Sequence, residues 1–380
     1  MRLIIDASAA VNQGAGIGRY ARMLVPSMAR QLEGSDVTAL VAPDANADPA
    51  VEQDGRSRLE AAGIRVRTLP FDRRKADILW HRARLPIPAQ IFGGRADLIY
   101  SPDFTAPPAL RTPSIVTVHD LAFEVTPQFA PGPLRSYLQS VVPRQVKKAA
   151  AIAAVSETTA RDLHERYGID RDRIAVIPNG VDERFFNAAP LTSDQRDGLG
   201  IPEDYLLMVG TIEPRKNHLG AFEAVLRSRI GADLPLVVAG RSGWADEPIQ
   251  QRMETLRSDG RVIWLRYVPE SLLPSLYAGA AATVYPSWYE GFGLPALEAL
   301  AAGSPLVTST APALVEVAGG VSRQADPADV DALAAALDEA IEHDRTPDAR
   351  AARVERANCY RWKSPARKLA DLITQTVGSS

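Results

Sequence analysis

The sequence predicts an α/β protein made of two doubly wound sheets in tandem. Short apolar runs rich in β-branched residues alternate with helix-like amphipathic segments, which is the pattern of parallel sheets covered by helices. The chain has 380 residues, more than one ordinary core accommodates. After an aperiodic stretch at residues 188–200, which we interpret as a linker, the pattern starts again at Tyr205. We therefore expect one domain at residues 1–184 and another at residues 185–360.

The composition is that of an ordinary soluble enzyme, with 46% hydrophobic and 23% charged residues. A net charge of -3 gives no reason to expect nucleic acid as a partner. The single cysteine, Cys359, cannot form an internal disulfide and fits a reducing compartment. Asp6 interrupts the first apolar run, and no run reaches the roughly 20 apolar residues of a membrane span. We expect a cytoplasmic protein.

The first domain opens with a strand at residues 2–6, a glycine turn at 14–18 and a helix from Arg19. The turn has the spacing G-x-G-x-G, not the dinucleotide fingerprint G-x-G-x-x-G, and Arg19 stands where that fingerprint needs a small residue. NAD binding is therefore disfavoured. Two interpretations remain: a turn that simply needs glycine, or a loop that a phosphate or an acceptor approaches closely.

Further strands of this domain are predicted at residues 37–42, 64–69, 97–100, 114–118, 149–155 and 174–177, with 64–69 at an edge and a variable loop at 43–60. The strand at 114–118 ends in His119 and Asp120. Open α/β sheets bind ligands at the carboxyl ends of their strands, so His119 is a candidate functional residue.

A basic segment with aromatic residues lies at residues 73–84 and contains Arg73, Arg74, Lys75, Trp80, His81, Arg82 and Arg84. It is either a solvated helix face or a patch for an anionic lipid surface or a lipid-diphosphate acceptor.

The second domain restarts with a strand at residues 205–209 and a loop that carries Arg215 and Lys216, with Asn217 predicted to cap the next helix. A strand, a loop with two cations and a helix start together make a cradle for a diphosphate. Its other strands are predicted at residues 236–239, 262–265, 281–285 and 305–308.

The most informative stretch is residues 287–303, which read as a strand end, a glycine loop and a helix start. Gly291 and Gly293 allow a tight turn, and the free N–H groups at the helix start can hold an anion. Glu290 and Glu298 bracket the loop. Beside a phosphate they would be repelled unless they serve hydroxyl groups. The pattern therefore indicates a nucleotide sugar.

The chain resembles the retaining glycosyltransferases of family 4, the glycogen-synthase-like family with the GT-B fold, over nearly its whole length. The resemblance rests on Glu290 and Glu298 with Gly-Phe-Gly-Leu-Pro between them, on Glu-Pro-Arg-Lys-Asn at 213–217, and on Ile-Pro-Asn-Gly-Val-Asp at 177–182. Val-His-Asp at 118–120 and the turn at 14–18 match the N-terminal active-site positions. The resemblance implies two Rossmann-like domains facing a central cleft, an acceptor domain followed by a donor domain, with a helix at 361–380 packing back on the first.

The resemblance also implies roles for individual residues. His119 would lie under the anomeric carbon, Glu290 would contact the donor sugar, and Glu298 would hold the ribose. Lys216 and Arg215 would bind the diphosphate. Thr211 stands where other members place an arginine, so Arg215 would carry that charge. The catalytic residues would be His119, Glu290, Lys216 and Arg215, and the donor-binding residues Gly16, Thr211, Arg215, Lys216, Arg241, Tyr267, Val268, Glu290, Gly291, Phe292, Gly293, Leu294 and Glu298.

The resemblance is to a bacterial branch that uses mannose in cell-surface polysaccharide synthesis. It implies retaining, metal-independent transfer from GDP-mannose, without a cofactor, to a saccharide or a polyprenyl-diphosphate-linked saccharide. The protein would work in the cytoplasm or at the inner face of the plasma membrane, in peripheral contact with anionic lipid. The alternatives are a UDP-sugar donor, a non-catalytic sugar-nucleotide-binding subunit, and an NAD-dependent oxidoreductase.

Overall fold

The computed structural model describes residues 1–14, 16–244 and 247–378. The strands are β1 (Arg2–Asp6), β2 (Asp36–Val41), β3 (Arg65–Thr68), β4 (Leu98–Ser101), β5 (Ser114–Val118), β6 (Ala151–Ala154), β7 (Ile174–Val176), β8 (Leu206–Val209), β9 (Leu236–Ala239), β10 (Val262–Trp264), β11 (Ala282–Tyr285), β12 (Leu306–Ser309) and β13 (Arg323–Ala325). Ala15 of the predicted glycine turn, and Ser379 and Ser380 of the predicted C-terminal segment, lie outside the described residues.

The α-helices are α1 (Ser8–Asn12), α2 (Ile17–Ala29), α3 (Pro49–Ala61), α4 (Arg73–Ala76), α5 (Gln90–Gly93), α6 (Ala122–Val125), α7 (Gly132–Lys148), α8 (Glu157–Tyr167), α9 (Ser193–Leu199), α10 (His218–Arg227), α11 (Glu247–Ser258), α12 (Leu273–Gly279), α13 (Leu294–Ala302), α14 (Pro312–Ala318), α15 (Val330–His343), α16 (Pro347–Asn358) and α17 (Lys363–Gly378). A π-helical turn spans Asp77–Arg82, and one of the 3-10 turns spans Pro214–Lys216.

The chain divides into two compact units. The N-terminal unit contains Met1–Leu121, Pro133–Gly180 and the segment from Trp362 onward, and the C-terminal unit contains Ala122–Gly132 and Val181–Arg361. The main boundary therefore falls after Gly180, a few residues before the expected one.

The short segment Ala122–Gly132 was expected in the first domain but belongs to the C-terminal unit. Phe129 stacks on Trp288, with ring centroids 6.0 Å apart, and its carbonyl accepts a hydrogen bond of 3.0 Å from the Trp244 indole. These contacts explain why the segment leaves the unit that holds His119, only three residues before it.

The N-terminal unit is a seven-stranded sheet in the order β3-β2-β1-β4-β5-β6-β7, with every neighbouring pair parallel. β3 lies at an edge, as its alternating sequence predicted. The winding direction reverses between β1 and β4, so the loops after these strands open the crevice where such sheets bind ligands.

The C-terminal unit is a six-stranded parallel sheet in the order β10-β9-β8-β11-β12-β13. Its winding reverses between β8 and β11, which places the loop with Arg215 and Lys216 beside the loop with Glu290. The core below is apolar and includes Met208, Phe222 and Val238. The predicted α/β class, with two doubly wound sheets, is confirmed.

Helix α17 packs on the N-terminal unit, as predicted. Ala366, Leu369 and Ile373 are buried, and α17 contacts α2. The Trp362 ring lies edge-on to Tyr20 of α2, with centroids 6.1 Å apart. Leu372 is only half-buried.

Two predictions of irregular structure were wrong. Residues 43–60, expected as a loop, contain most of α3, which Asp48 caps by accepting from the Ala50 N–H. The expected linker at 188–200 contains α9, which begins with a capping box between Thr192 and Gln195. Both helices are polar, so their caps indicate them better than an apolar stripe does. Strand β13 was not predicted.

The cations of the basic segment at residues 73–84 have different partners. Arg73 lies against the Gln13 amide, whereas Arg82 pairs with Asp77 at 2.7 Å and packs on the Tyr137 ring. Lys75 pairs with Asp72 at 3.4 Å.

Candidate active site

The loop after β8 positions two cations at the carboxyl edge of the C-terminal sheet. Asn217 has a left-handed backbone, with φ of 57°, and its side chain caps α10 by accepting from the Gly220 N–H at 3.2 Å. This cap ends the 3-10 turn Pro214–Lys216 and fixes the two residues before it, Arg215 and Lys216. The predicted cap is confirmed.

Lys216 is buried and bonded within the site. Its Nζ donates to the Tyr285 hydroxyl at 2.7 Å and to Glu290 Oε1 at 3.1 Å. The Tyr285 hydroxyl in turn donates to the same Glu290 oxygen at 2.7 Å. A lysine, a tyrosine and a glutamate therefore form a closed triangle of hydrogen bonds.

Arg215 binds the other side of the same carboxylate. Its Nη1 lies 2.8 Å from Glu290 Oε2 and donates to the Tyr289 carbonyl at 2.6 Å, while Nη2 donates to Glu213 Oε1 at 2.6 Å. Glu290 thus carries a cation on each oxygen.

These contacts set the charge states. Burial alone would raise the pKa of Glu290, but Arg215 and Lys216 outweigh it and lower the pKa to about 2. Burial disfavours the charged lysine, but Glu290 and Tyr285 raise the pKa of Lys216 above its ordinary value. Burial, followed by the Glu290 charge, raises the pKa of Tyr285. At neutral pH the site holds a carboxylate, an ammonium and a protonated phenol.

The glycine loop and α13 complete this edge. Gly293 precedes the helix with φ of 98°, and a Cβ built there would lie 2.4 Å from Leu314 Cδ2, so glycine is required. Pro295 lies in the first turn. Phe292 is buried and packs edge-on against Tyr360, with centroids 5.7 Å apart. Gly291 and Leu294 flank this turn, whose N–H groups begin the helix.

Glu298 lies inside α13 and is buried. Its Oε2 accepts from the Tyr277 hydroxyl at 3.1 Å. As with Glu290, a tyrosine hydroxyl orients the carboxylate.

The other predicted donor residues lie after the adjoining strands. Thr211 precedes Ile212, which bridges to Ser242 in the loop after β9. Arg241 packs over the exposed Tyr267 ring at 5.7 Å, next to Val268. Arg266 has a left-handed backbone, with φ of 43°, and packs on Trp264 at 4.6 Å.

In the N-terminal unit, His119 follows β5. Its Nε2 lies 2.8 Å from the Pro102 carbonyl, so that nitrogen donates and Nδ1 is free of this bond. Tyr20 stands edge-on to the ring at 4.8 Å and Phe104 at 5.8 Å. Burial lowers the pKa of His119, so the ring is neutral at neutral pH.

The glycine turn is organised by an arginine that the sequence did not single out. Gly16 has φ of 52°, and a Cβ on Gly18 would lie 1.9 Å from the Gln13 carbonyl. Arg22 of α2 is buried and donates to the Ala10 carbonyl at 3.2 Å and the Gly14 carbonyl at 3.1 Å. Arg22 therefore fixes the backbone of the described part of the turn from its buried side, and Gly16 is exposed.

Sequence reasoning also missed the hydroxyl groups around Glu290. Ser287 donates to Oε1 at 3.0 Å, beside Tyr285. From the sequence, Tyr285 is predicted only as the last residue of a strand. A phenol at the carboxyl end of a strand, directly before the glycine loop, is the signal that could have identified it.

No group of three or more His, Cys, Asp or Glu side chains within the described residues could hold a metal ion. None of their helices is long and apolar enough to cross a membrane.

The comparisons with known proteins assign this pair of wound sheets to the sugar-transferring enzymes of the GT-B class. Residues 14–185 match the family described as Glycosyltransferase Family 4, and residues 192–358 match Glycosyl transferases group 1. The chain is 32% identical to O-antigen chain mannosyltransferase B of Escherichia coli over 96% of its own length and 95% of that protein. The chain belongs to glycosyltransferase family 4.

Further comparisons agree. O-antigen chain mannosyltransferase RfbU of Salmonella typhimurium is 27% identical over 83% of this chain and 84% of that protein. Sucrose-phosphate synthase from Thermosynechococcus elongatus has a TM-score of 0.72 at 21% identity, covering 100% of this chain and 99% of that one. HepE from Anabaena, solved with UDP and glucose, has a TM-score of 0.71 at 18% identity, covering 98% and 99%. The predicted GT-B fold is confirmed.

Proposed function

We propose that this glycosyltransferase moves mannose from GDP-mannose, with retention at the anomeric carbon, to a saccharide or lipid-linked saccharide in cell-surface polysaccharide synthesis. The names of the E. coli and Salmonella relatives support the sugar and the pathway class. The C-terminal unit would bind the donor and the N-terminal unit the acceptor.

The observation that carries the proposal is the buried cluster of Lys216, Arg215 and Glu290 beside the start of α13. Two fixed cations and free helix N–H groups are what a diphosphate leaving group needs as its charge develops. Their contacts with Glu290 hold both cations at this edge of the sheet, and a diphosphate would replace part of those contacts.

Donor binding would exchange partners within this cluster. The diphosphate would take over hydrogen bonds from Lys216 and Arg215, and Glu290 would then accept from a hydroxyl of the sugar. Glu298 would accept from the ribose. Further donor contacts would come from the backbone at Gly291, Phe292, Gly293 and Leu294, from Thr211 and Arg241, and from Tyr267 and Val268 near the base. The remaining proposed donor residue is Gly16, whose lack of a side chain would let a diphosphate approach.

For the chemical step we propose attack on the face that the diphosphate leaves. The acceptor hydroxyl oxygen bonds to the anomeric carbon as the bond to GDP breaks, and the hydroxyl proton passes to the departing phosphate oxygen. His119, neutral and fixed by Pro102, would position the sugar. Trapping a covalent glycosyl adduct on a side chain would contradict this step.

The first test is a thermal-shift panel of nucleotide sugars. Stabilisation follows the ratio of ligand to Kd and reaches about 2.7 kcal/mol at a hundredfold excess. We expect GDP-mannose to raise the midpoint most, and Lys216→Met to remove that shift. A larger rise in melting midpoint with a UDP-sugar would contradict GDP-mannose as the donor. A UDP-sugar is the second candidate because HepE was solved with UDP-glucose.

We propose further that no metal and no cofactor is needed, since Lys216 and Arg215 supply the positive charge at the diphosphate. Transfer should be unchanged by EDTA, whereas a loss restored by added divalent metal would contradict this. Glu290→Gln and Lys216→Met should abolish transfer in cells, while unaffected transfer would support the non-catalytic alternative. Family membership disfavours the NAD-dependent oxidoreductase.

The proposed site of action is the cytoplasm, with peripheral contact at the inner face of the plasma membrane, where a polyprenyl-diphosphate-linked acceptor would lie. Exposed cations of the N-terminal unit, such as Arg84, support this contact.

A further inference from the structure

A cavity of about 1230 Å³ lies in the N-terminal unit, and none of the candidate active-site residues lines it. Its lining includes Arg2, Ala96, Ser114 and Ala150, which stand at or just before the starts of β1, β4, β5 and β6. Because these strands are parallel, the cavity lies at the amino edge of the sheet, whereas His119 lies at the carboxyl edge.

The length of β5 gives the distance between the cavity and His119. Ser114 lines the cavity, and the strand's five residues end just before His119. At about 3.3 Å per residue, this places the cavity about 16 Å from the histidine. A molecule bound in this cavity is therefore too far from His119 to act as the acceptor that attacks the donor sugar.

The charge of the lining is of one sign. The cations Arg84, Arg95, Arg111, Arg144 and Lys148 line the cavity and are exposed, and no aspartate or glutamate lines it. Among the described residues, none of these five forms an ion pair, unlike Arg2, which pairs with Asp97 at 2.6 Å. The chain as a whole has a net charge of -3, so this concentration is local. It selects an anion.

The lining is also apolar. Leu85 and Leu110 stand in it with 41% and 72% of their surfaces exposed, and Ile91 of the neighbouring helix α5 is 66% exposed. Side chains of this size seldom remain exposed together unless they meet an apolar partner. An inorganic anion or a polynucleotide would leave them in water.

Two buried polar atoms of the lining residues lack partners. Trp80 Nε1 and Gln90 Oε1 have no hydrogen-bond partner in the structure. Buried polar groups are usually satisfied, so these two are consistent with a ligand or water that supplies the bond. Burial lowers the pKa of the adjacent His81, whose neutral ring adds no charge.

We infer that this cavity binds an anionic phospholipid of the membrane surface, with the phosphate among the arginines and the first part of an acyl chain against Trp80, Leu85 and Leu110. This deepens the proposed peripheral contact by naming its ligand class and its site. The inference rests on the proposed function only in naming the inner face of the plasma membrane as the source of the lipid. The protein would be held by the amino edge of the N-terminal sheet, so the carboxyl edge with His119 stays free.

The first test is flotation with phosphatidylglycerol and with phosphatidylcholine vesicles. We expect recovery with the anionic vesicles only, and at least about tenfold weaker binding for Arg84→Glu/Arg111→Glu. The matched control, Arg367→Glu/Lys368→Glu, makes the same change in net charge at exposed positions outside the cavity and should float like the wild type. Equal recovery with both lipids, or equal losses in both variants, would overturn the inference.

A second measurement locates the acyl chain. The chain has five tryptophans, and phosphatidylglycerol with brominated acyl chains should quench part of their fluorescence. Trp80→Phe should remove most of that quenching without reducing flotation. Unchanged quenching in this variant would overturn the placement.

Two further controls separate the sources of binding and the two proposals. Inorganic phosphate at matched concentration should not displace the protein from vesicles, and displacement would indicate a simple anion site instead. The GDP-mannose thermal shift of Arg84→Glu/Arg111→Glu should equal that of the wild type, and its loss would contradict two separate sites. Flotation that persists without any donor shift would support the lipid site and refute only the donor.

Discussion

Glu290 is a buried acid with protein partners on both carboxylate oxygens. It accepts from Lys216, Tyr285 and Ser287 on one oxygen and pairs with Arg215 through the other. An unpaired carboxylate at this depth would be costly, so its partners stabilise the loop as well as prepare the site. A donor diphosphate must therefore exchange with an existing ion pair, which favours ligands that supply hydroxyl groups in return.

The Tyr285 hydroxyl should contribute to donor binding as well as to the stability of the fold. Tyr285→Phe removes a donor to Glu290 and an acceptor for Lys216, which we expect to cost about 1.5–3 kcal/mol of stability and to weaken the donor thermal shift. Tyr205→Phe is the control, because this buried tyrosine bonds only the Leu276 carbonyl, at 2.7 Å, among described partners. It should lower the melting midpoint but keep the donor shift. Equal donor shifts in the two variants would contradict the role of Tyr285.

At this scale the sequence predicted which residues assemble but not how they pair. Arg215, Lys216 and Glu290 each follow a strand of one parallel sheet, so their proximity could be expected from the glycine loops and strand pattern. Their mutual hydrogen bonds could not be predicted, because they depend on β8 and β11 lying side by side in the sheet, which brings together residues that are distant in sequence. Arg22 was missed for the same reason, since a helical arginine looks solvated until its carbonyl partners are known.

At the scale of elements, the start of α13 is fixed by backbone geometry. Gly293→Ala would place a Cβ in a left-handed position and 2.4 Å from Leu314, which we expect to cost about 2–4 kcal/mol and to disturb donor binding. Gly260→Ala is the control, because Gly260 also has a positive φ, of 70°, but no atom lies within 4 Å of the added Cβ. It should cost only about 1–2 kcal/mol. Urea unfolding compares the two, and similar losses would show that the contact with Leu314 relaxes freely.

Helix α17 should stabilise the N-terminal unit through its buried side. Ile373→Ala removes a fully buried side chain and should cost about 2–5 kcal/mol. The half-buried Leu372, one residue earlier, should cost less than about 1.5 kcal/mol when changed to alanine. The measurement is the urea midpoint, and the reverse order of the two losses would contradict the packing described.

The elements predicted correctly were those with an apolar signal. β5 and β9 were expected with their observed bounds because both are continuous buried runs. β13 was missed because Arg-Gln-Ala has no strand-like composition and is held by pairing with β12. α3 was missed because its sequence is mostly polar, so that Asp48 and Pro49 are its main local signals.

At the scale of the whole molecule, acid should destabilise the fold through its buried histidines. Of five histidines, burial lowers the pKa of His81, His119 and His218, the last to about 3 with help from the Lys216 charge. The unfolded chain binds these protons near the ordinary value of 6.5, whereas the folded chain does so only at lower pH. Stability is therefore present above pH 6.5 and is lost as the pH falls below it.

The expected slope from His218 is about 1.4 kcal/mol per pH unit between pH 6.5 and pH 3. Urea midpoints measured from pH 7 to pH 5 should fall for the wild type and fall less steeply for His218→Gln. The exposed His343→Gln should keep the wild-type slope. Equal slopes in all three proteins would contradict a neutral buried His218.

The N-terminal unit consists of segments that are far apart in sequence and are therefore synthesised at different times. Trp362 and α17, which cover Tyr20 and α2, are synthesised only after the whole C-terminal unit. At about 5–20 residues per second, the first sheet waits tens of seconds for its last helix, while the second can fold as soon as it emerges. Until Trp362 and α17 emerge, the side of α2 that they cover, including Tyr20, lacks its apolar partner.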